Sequence, residues 1–221
     1  MKIINWNVGR PSKTKGEKIL EELNKRDADI LILTETNSSI KPQGKYHEVS
    51  TARLERITDG VPYKEGEIRT TIWTKYPVVN RYPTFNGNTS VCADIKTESG
   101  VLTVYATIIG ILGGTRPSFK KDLEAQLQDF DKLFPDKQVC IVGDYNITFT
   151  GRAYPSYLAR QTLNDAFQKF KLKNITVSVE DCVDHIAISN DFIGIQKPVI
   201  ETWNGNKKLS DHIGICATIM E

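Results

Sequence analysis

Short apolar runs recur along the chain, split by clusters of Gly, Pro, Asn and Asp. That punctuation predicts many strands and few helices. KIINWNV (2–8) reads as the first strand, closed by Gly9 and Pro11. ILIL (30–33) reads as a buried strand that delivers Thr34-Glu35-Thr36. Further strands are predicted over 46–51, 68–74, 78–82, 91–96, 101–109 and 139–142. The last quarter adds 174–179, 183–189, 192–202 and 213–220.

Three segments carry helical spacing instead. Residues 15–26 place Ile19, Leu20 and Leu23 on one face, and Thr14 with Glu17 has the spacing of a capping box. Residues 118–134 align Phe119, Leu123, Leu127, Phe130 and Phe134, with Ser118 as the predicted cap. A third helix, 156–170, starts behind Pro155-Ser156. Sheets packed face to face with helices outside bury such a set of elements best.

The 221 residues suit a single domain over 1–221, with no linker, repeat or low-complexity segment. A net charge of +2 neither advertises nor excludes a nucleic-acid partner, since a local patch can serve. Cys92, Cys140, Cys182 and Cys216 form no C-x-x-C pair, and three lie in apolar runs. They are expected to be reduced, which points to a cytoplasmic protein. No apolar stretch reaches membrane-spanning length. No protein partner is indicated, and a monomer is expected.

Several apolar strands stop at acidic or amide residues. Asn5 and Asn7 lie in the first strand, and Glu35 follows ILIL. Asp144 and Asn146 follow VCIV, Asp184 opens DHIAIS, and Asp211-His212 precede IGICATI. Each alone reads equally well as a turn or a capped strand end. Together, oxygen donors with one histidine suit a hard cation such as Mg²⁺ or Mn²⁺. Zinc is disfavoured, because His47, His185, His212 and the cysteines lack ligand spacing.

The ordered stretches INWNVGR, ILILTET, CIVGDYNIT, VDHIAIS and LSDHIGI span residues 3–215. In that order they resemble the endonuclease/exonuclease/phosphatase superfamily, which includes exonuclease III-like, DNase I-like and sphingomyelinase-like enzymes. The resemblance implies an α+β fold, a four-layer α/β/β/α sandwich of two mainly antiparallel sheets. It implies metal-dependent phosphoester hydrolysis, with Glu35 as principal metal ligand and Asn7 and Asp211 at the metal site. It implies that Asp144 and Asn146 orient the water and contact the phosphate, and that His212 steadied by Asp184 forms a catalytic dyad. The group that removes the water proton stays open between His212 and Asp144. His185 alternates away from Asp184 and is expected to be structural.

One position departs from the pattern. Relatives often read N-T-H-L before the helix, whereas this chain reads V-Y-A-T-I-I-G over 104–110, with Ile108 at the histidine position. Arg116 in the GGTRP loop, or Arg69 or Lys75 flanking the TTIW strand, could supply positive charge there instead. Near the other side of the site, Trp203 could stack on a base, and Lys207 and Lys208 could face phosphate, or all could be packing and surface charge. The segment 52–68 is expected to be a mobile loop over the cleft. Three functions follow: a Mg²⁺-dependent nuclease on DNA or RNA, a phosphoesterase on a small metabolite or lipid head group, or a binding module without chemistry.

Overall fold

Apolar side chains sort into three buried layers, and those layers define the architecture. The computed structural model describes residues 1–195 and 197–220. In chain order the elements are β1 (Lys2–Asn7), α1 (Lys13–Arg26), β2 (Ile30–Asn37), β3 (His47–Ser50), β4 (Ile57–Thr58), β5 (Val61–Pro62) and β6 (Glu67–Thr74). There follow β7 (Val78–Tyr82), β8 (Val91–Thr97), β9 (Gly100–Ile108), α2 (Ser118–Leu133) and β10 (Gln138–Asp144). The chain then forms α3 (Tyr157–Lys169), β11 (Leu172–Asn174), β12 (Asp184–Ser189), α4 (Asn190–Ile193), β13 (Val199–Trp203) and β14 (Gly214–Thr218).

Two six-stranded sheets run in the orders β13-β14-β1-β2-β6-β3 and β11-β12-β10-β9-β8-β7. Each contains one parallel pair, β1 with β2 and β9 with β10, and is otherwise antiparallel. A helix bridges each parallel pair, α1 in one sheet and α2 in the other. Ile3, Ile30, Ile32 and Ile72 of the first sheet meet Ala93, Val104, Val142 and Ile186 of the second in the central layer. Trp6, Leu31 and Leu33 pack outward with Ile19 and Leu23 of α1. Tyr105, Ile141 and Ala187 pack outward with Phe130 of α2 and Leu163 of α3. The result is the four-layer α/β/β/α sandwich.

Local chemistry moved several boundaries. The α1 cap is Ser12, whose side chain accepts from the Lys15 N–H, so the Thr14–Glu17 box lies inside the helix. Ser118 is the first helical residue of α2, and Pro117 precedes it without a side-chain cap. The strand expected over 174–179 stops at Asn174, because its Oδ1 accepts from the Thr176 N–H and hydroxyl in a local turn. The stretch 192–202 is not one strand: α4 ends at Ile193, capped by Gly194, and pairing resumes at Val199, while Gln196 lies outside the described residues. The 52–68 segment carries a small hairpin, β4 with β5. All four cysteines are buried free thiols. Among the described residues no helix is long and apolar enough to cross a membrane.

Candidate active site

Asp144 ends β10, Asp184 begins β12, and the two are register partners. Asn7 ends β1, and Glu35 follows Thr34, its partner on β2. The carboxyl ends of both parallel pairs therefore meet at one end of the sandwich. Beneath them the Asn5 amide donates to the carbonyls of Gly143 (3.0 Å) and His185 (3.2 Å), joining the sheets. Gly143 has φ 143, and a Cβ there would stand 1.9 Å from the Thr107 carbonyl oxygen, so only glycine fits.

His212 comes from the loop before β14. Its carbonyl accepts from the Asn204 amide (2.7 Å) and the Trp6 indole (3.2 Å), which fixes the backbone. Its Nδ1 meets Asp184 Oδ2 at 2.6 Å. Asp184 Oδ1 is buried without a partner among the described residues. Asp144, Asp184 and His212 offer donor atoms all within 4.8 Å of one another. The short bond to Asp184 makes that trio a hydrogen-bonded acid–imidazole cluster first.

Burial alone would lower the imidazole pKa, but the bond to Asp184 and the charges of Asp184, Asp144 and Asp211 raise it to about 10. Burial and the neighbouring Asp184 push Asp144 up to about 7, against the pull of His212. Asp184 is also raised, by burial, with His212 opposing. Glu35 is raised by burial and by Asp211, while His212, Asn7 and Arg10 pull it down. Such raised carboxylates in one crevice mark a place where charge is meant to be compensated.

Asn7 ties the acids together: its amide nitrogen donates to Asp144 Oδ2 (3.1 Å) and its oxygen accepts from the Gly9 N–H (2.9 Å). Ser210 donates to the Asn7 carbonyl (2.7 Å), and its oxygen lies 3.4 Å from the exposed Asp211 carboxylate. Glu35 has φ 49, a left-handed conformation in a strand, and its carbonyl accepts from the Arg10 N–H at 2.7 Å.

The residues expected to act together do converge, with qualifications. Asn146 donates its amide to the carbonyls of Ile109 and Gly110, both at 3.1 Å. Its two side-chain N–H groups are thereby spent, and its place is to hold the 109–110 loop against the backbone N–H that binds Asp144 Oδ1 at 2.9 Å. Ile108 is buried and lines a cavity beside Glu35. Arg69 lines the same cavity, whereas Arg116 is exposed and faces a groove between the starts of α2 and α3. Lys207 and Lys208 are exposed loop residues. Trp203 does not stand free to stack on a base. Its ring lies edge-on to Trp6 at 5.3 Å, under the Arg26 guanidinium at 4.0 Å, and over Gly214. His185 is structural, bonded to Thr176 and two carbonyls, and burial lowers it to about 4.

A profile of the Endonuclease/Exonuclease/phosphatase family matches residues 4–212. The chain belongs to that family. Its fold is shared with a 3′ phosphatase from Neisseria solved with a product DNA hairpin, at TM-score 0.72 and 14% identity, covering 100% of both chains. It is also shared with the endonuclease domain of TRAS1, a telomere-specific non-LTR retrotransposon, at 0.70 and 17%, covering 99% of this chain and 97% of that one. A humanized D. rerio TDP2 matches at 0.67 and 14%, covering 100% and 99%. No curated protein sequence matches this chain.

Sequence reasoning missed Arg10, Tyr63 and Glu67 at the cavity. Arg10 was within reach, since it closes the INWNVGR stretch. Tyr63 and Glu67 sit in a charged, turn-rich segment with no periodicity to single them out.

Proposed function

We propose that this protein is a divalent-metal-dependent phosphodiester hydrolase, a nuclease that cleaves DNA or RNA by water attack on phosphorus. The observation that carries this reading is the 2.6 Å His212–Asp184 pair facing Asp144, in the same crevice as Glu35 and Asp211. The donor set fits a hard cation: half-buried Glu35, exposed Asp211, Asn7 between the acids, and an orphaned Asp184 oxygen. Glu35 and Asp211, with Asn7, would hold Mg²⁺ or Mn²⁺, which supplies charge relief at a phosphoryl oxygen.

The chain's own residues divide the remaining work. With its pKa near 10, His212 carries a proton at neutral pH and presents Nε2–H as a charged donor to phosphate. Asp184 accepts from Nδ1–H, which holds the ring in place and stabilises the imidazolium. Asp144, titrating near 7, is matched to accept a proton from water. On this reading Asp144 is the base and His212 the phosphate anchor, and the converse division of roles is the alternative that the pH series tests. The protein acts as a cytoplasmic monomer on nucleic acid.

The test is a screen with Mg²⁺ or Mn²⁺ against plasmid, single-stranded DNA, RNA and small phosphoesters across a pH series, with EDTA as control. Nucleic acid should be cut, EDTA should abolish cutting, and His212→Ala should lower the rate by roughly 10²–10⁴. Intact nucleic acids beside turnover of small phosphoesters would move the assignment to the phosphatase class. No turnover of either would leave a binding module.

A further inference from the structure

Beside Glu35 lies a cavity of about 210 Å³, walled by the β4–β5 hairpin, the start of β6, Ile108 and the 111–112 loop. Arg69 lines it and is 1% exposed. The register pairs Thr34 with Thr70 and Thr36 with Ile68, so Arg69 stands across from Glu35 on the neighbouring strand.

The bonds of Arg69 leave one part of it unexplained. Its Nε donates to the Tyr63 hydroxyl (3.0 Å), and Nη1 donates to Asp59 (2.7 Å) and Thr89 (3.2 Å). Those contacts pin the hairpin, and stacking over Tyr63 at 5.1 Å adds to them. Nη2 is buried and has no hydrogen-bond partner among the described residues. An unpartnered N–H pair on a buried cation is expensive, so a missing acceptor is the economical explanation.

The neighbours narrow what that acceptor is. Arg10 is already spent, forking onto Glu67 at 3.2 and 2.8 Å and bonding the Pro62 carbonyl. Ile108 and the apolar wall offer no polar atom. A guanidinium has donors only, and its strongest partner is an oxyanion. Asp59, its salt-bridge partner, is half exposed, so the charge of Arg69 is only partly neutralised within the cavity.

We propose that Arg69 is a phosphate-binding residue, its Nη2 taking a non-bridging oxygen of a substrate phosphate in the cavity beside Glu35. This rests on the phosphoester reading above. It gives the 52–68 segment a purpose: Asp59 and Tyr63 orient the guanidinium, so the hairpin shapes the phosphate subsite.

The experiment is titration of the whole protein with inorganic phosphate, with and without Mg²⁺, followed by calorimetry and by side-chain arginine ¹⁵N NMR. Phosphate should shift the Arg69 Nε resonance, and Arg69→Gln should weaken binding by roughly 10–100-fold while Arg69→Lys retains part of it. Tyr63→Phe, which keeps the charge and frees Nε, should weaken it less. Should Arg69→Gln fail to fold, the wild-type resonance and Tyr63→Phe decide. Unchanged affinity in a folded Arg69→Gln, or an Arg69 resonance indifferent to phosphate, overturns the proposal and leaves Arg69 a hairpin latch. Phosphate binding at Arg69 in a protein that hydrolyses nothing would sink the proposed activity and not this subsite.

Discussion

Asp144 accepts two N–H donors, from Asn7 and from the Asn146 backbone, and yet its pKa rises to about 7. Burial and the neighbouring Asp184 outweigh those bonds. His212 is raised from 6.5 to about 10 in the same cluster. Both groups bind protons more tightly when folded than when unfolded, so both shifts have one sign. Their stabilisation is fully present below the ordinary values, 3.8 for Asp144 and 6.5 for His212, and is lost as pH climbs through about 7 and about 10. Metal-free protein should therefore lose melting temperature as pH rises above about 6.5, while below that His185, lowered to about 4, opposes the fall. Asp144→Asn should flatten the lower limb of that profile, whatever its absolute stability. Saturating Mg²⁺ held at Glu35 and Asp211 should reduce the slope, because a nearby cation lowers the pKa of both Asp144 and His212. Calorimetry in EDTA and in Mg²⁺ checks it, and a metal-free melting temperature that rises from about pH 5 to about pH 9 would refute the assignment.

Elements were easier to read than their ends. The strands that carry Asn7, Glu35, Asp144 and Asp184 were legible, because each is an apolar run bounded by an acid or amide, as in VCIV before Asp144. Ends decided by a single side-chain bond were not, such as Ser12 at α1 or the Asn174 turn after β11. Trp203 shows the same limit: its loop looked like a substrate rim, but its ring is held by Trp6, Arg26 and a glycine on the partner strand. Trp203→Ala should cost about 2–4 kcal/mol in urea unfolding and leave KM for nucleic acid unchanged. A higher KM at unchanged stability would return Trp203 to the substrate. Gly143→Ala is the harsher change: its Cβ meets the Thr107 carbonyl at 1.9 Å, and a loss of about 3 kcal/mol or more is expected.

At the scale of the molecule, the central layer draws on residues from Ile3 to Ile219. The chain is expected to melt as one unit, with far-ultraviolet circular dichroism and turnover lost at the same midpoint. Two separated transitions would refute a single domain. The sandwich was readable from strand number and order, while the joining of its sheets by Asn5 was not, since nothing in IINWN marks which asparagine reaches across. The position of β14 carries a consequence for how the protein is made. It lies beside β1 in the first sheet, and the loop before it brings in His212 and Asp211. A ribosome emits Glu35, Asp144 and Asp184 well before these two. Of the residues gathered in the crevice, Asp211 and His212 are thus the last to emerge, and the Asp184–His212 bond forms only once β14 has joined β1.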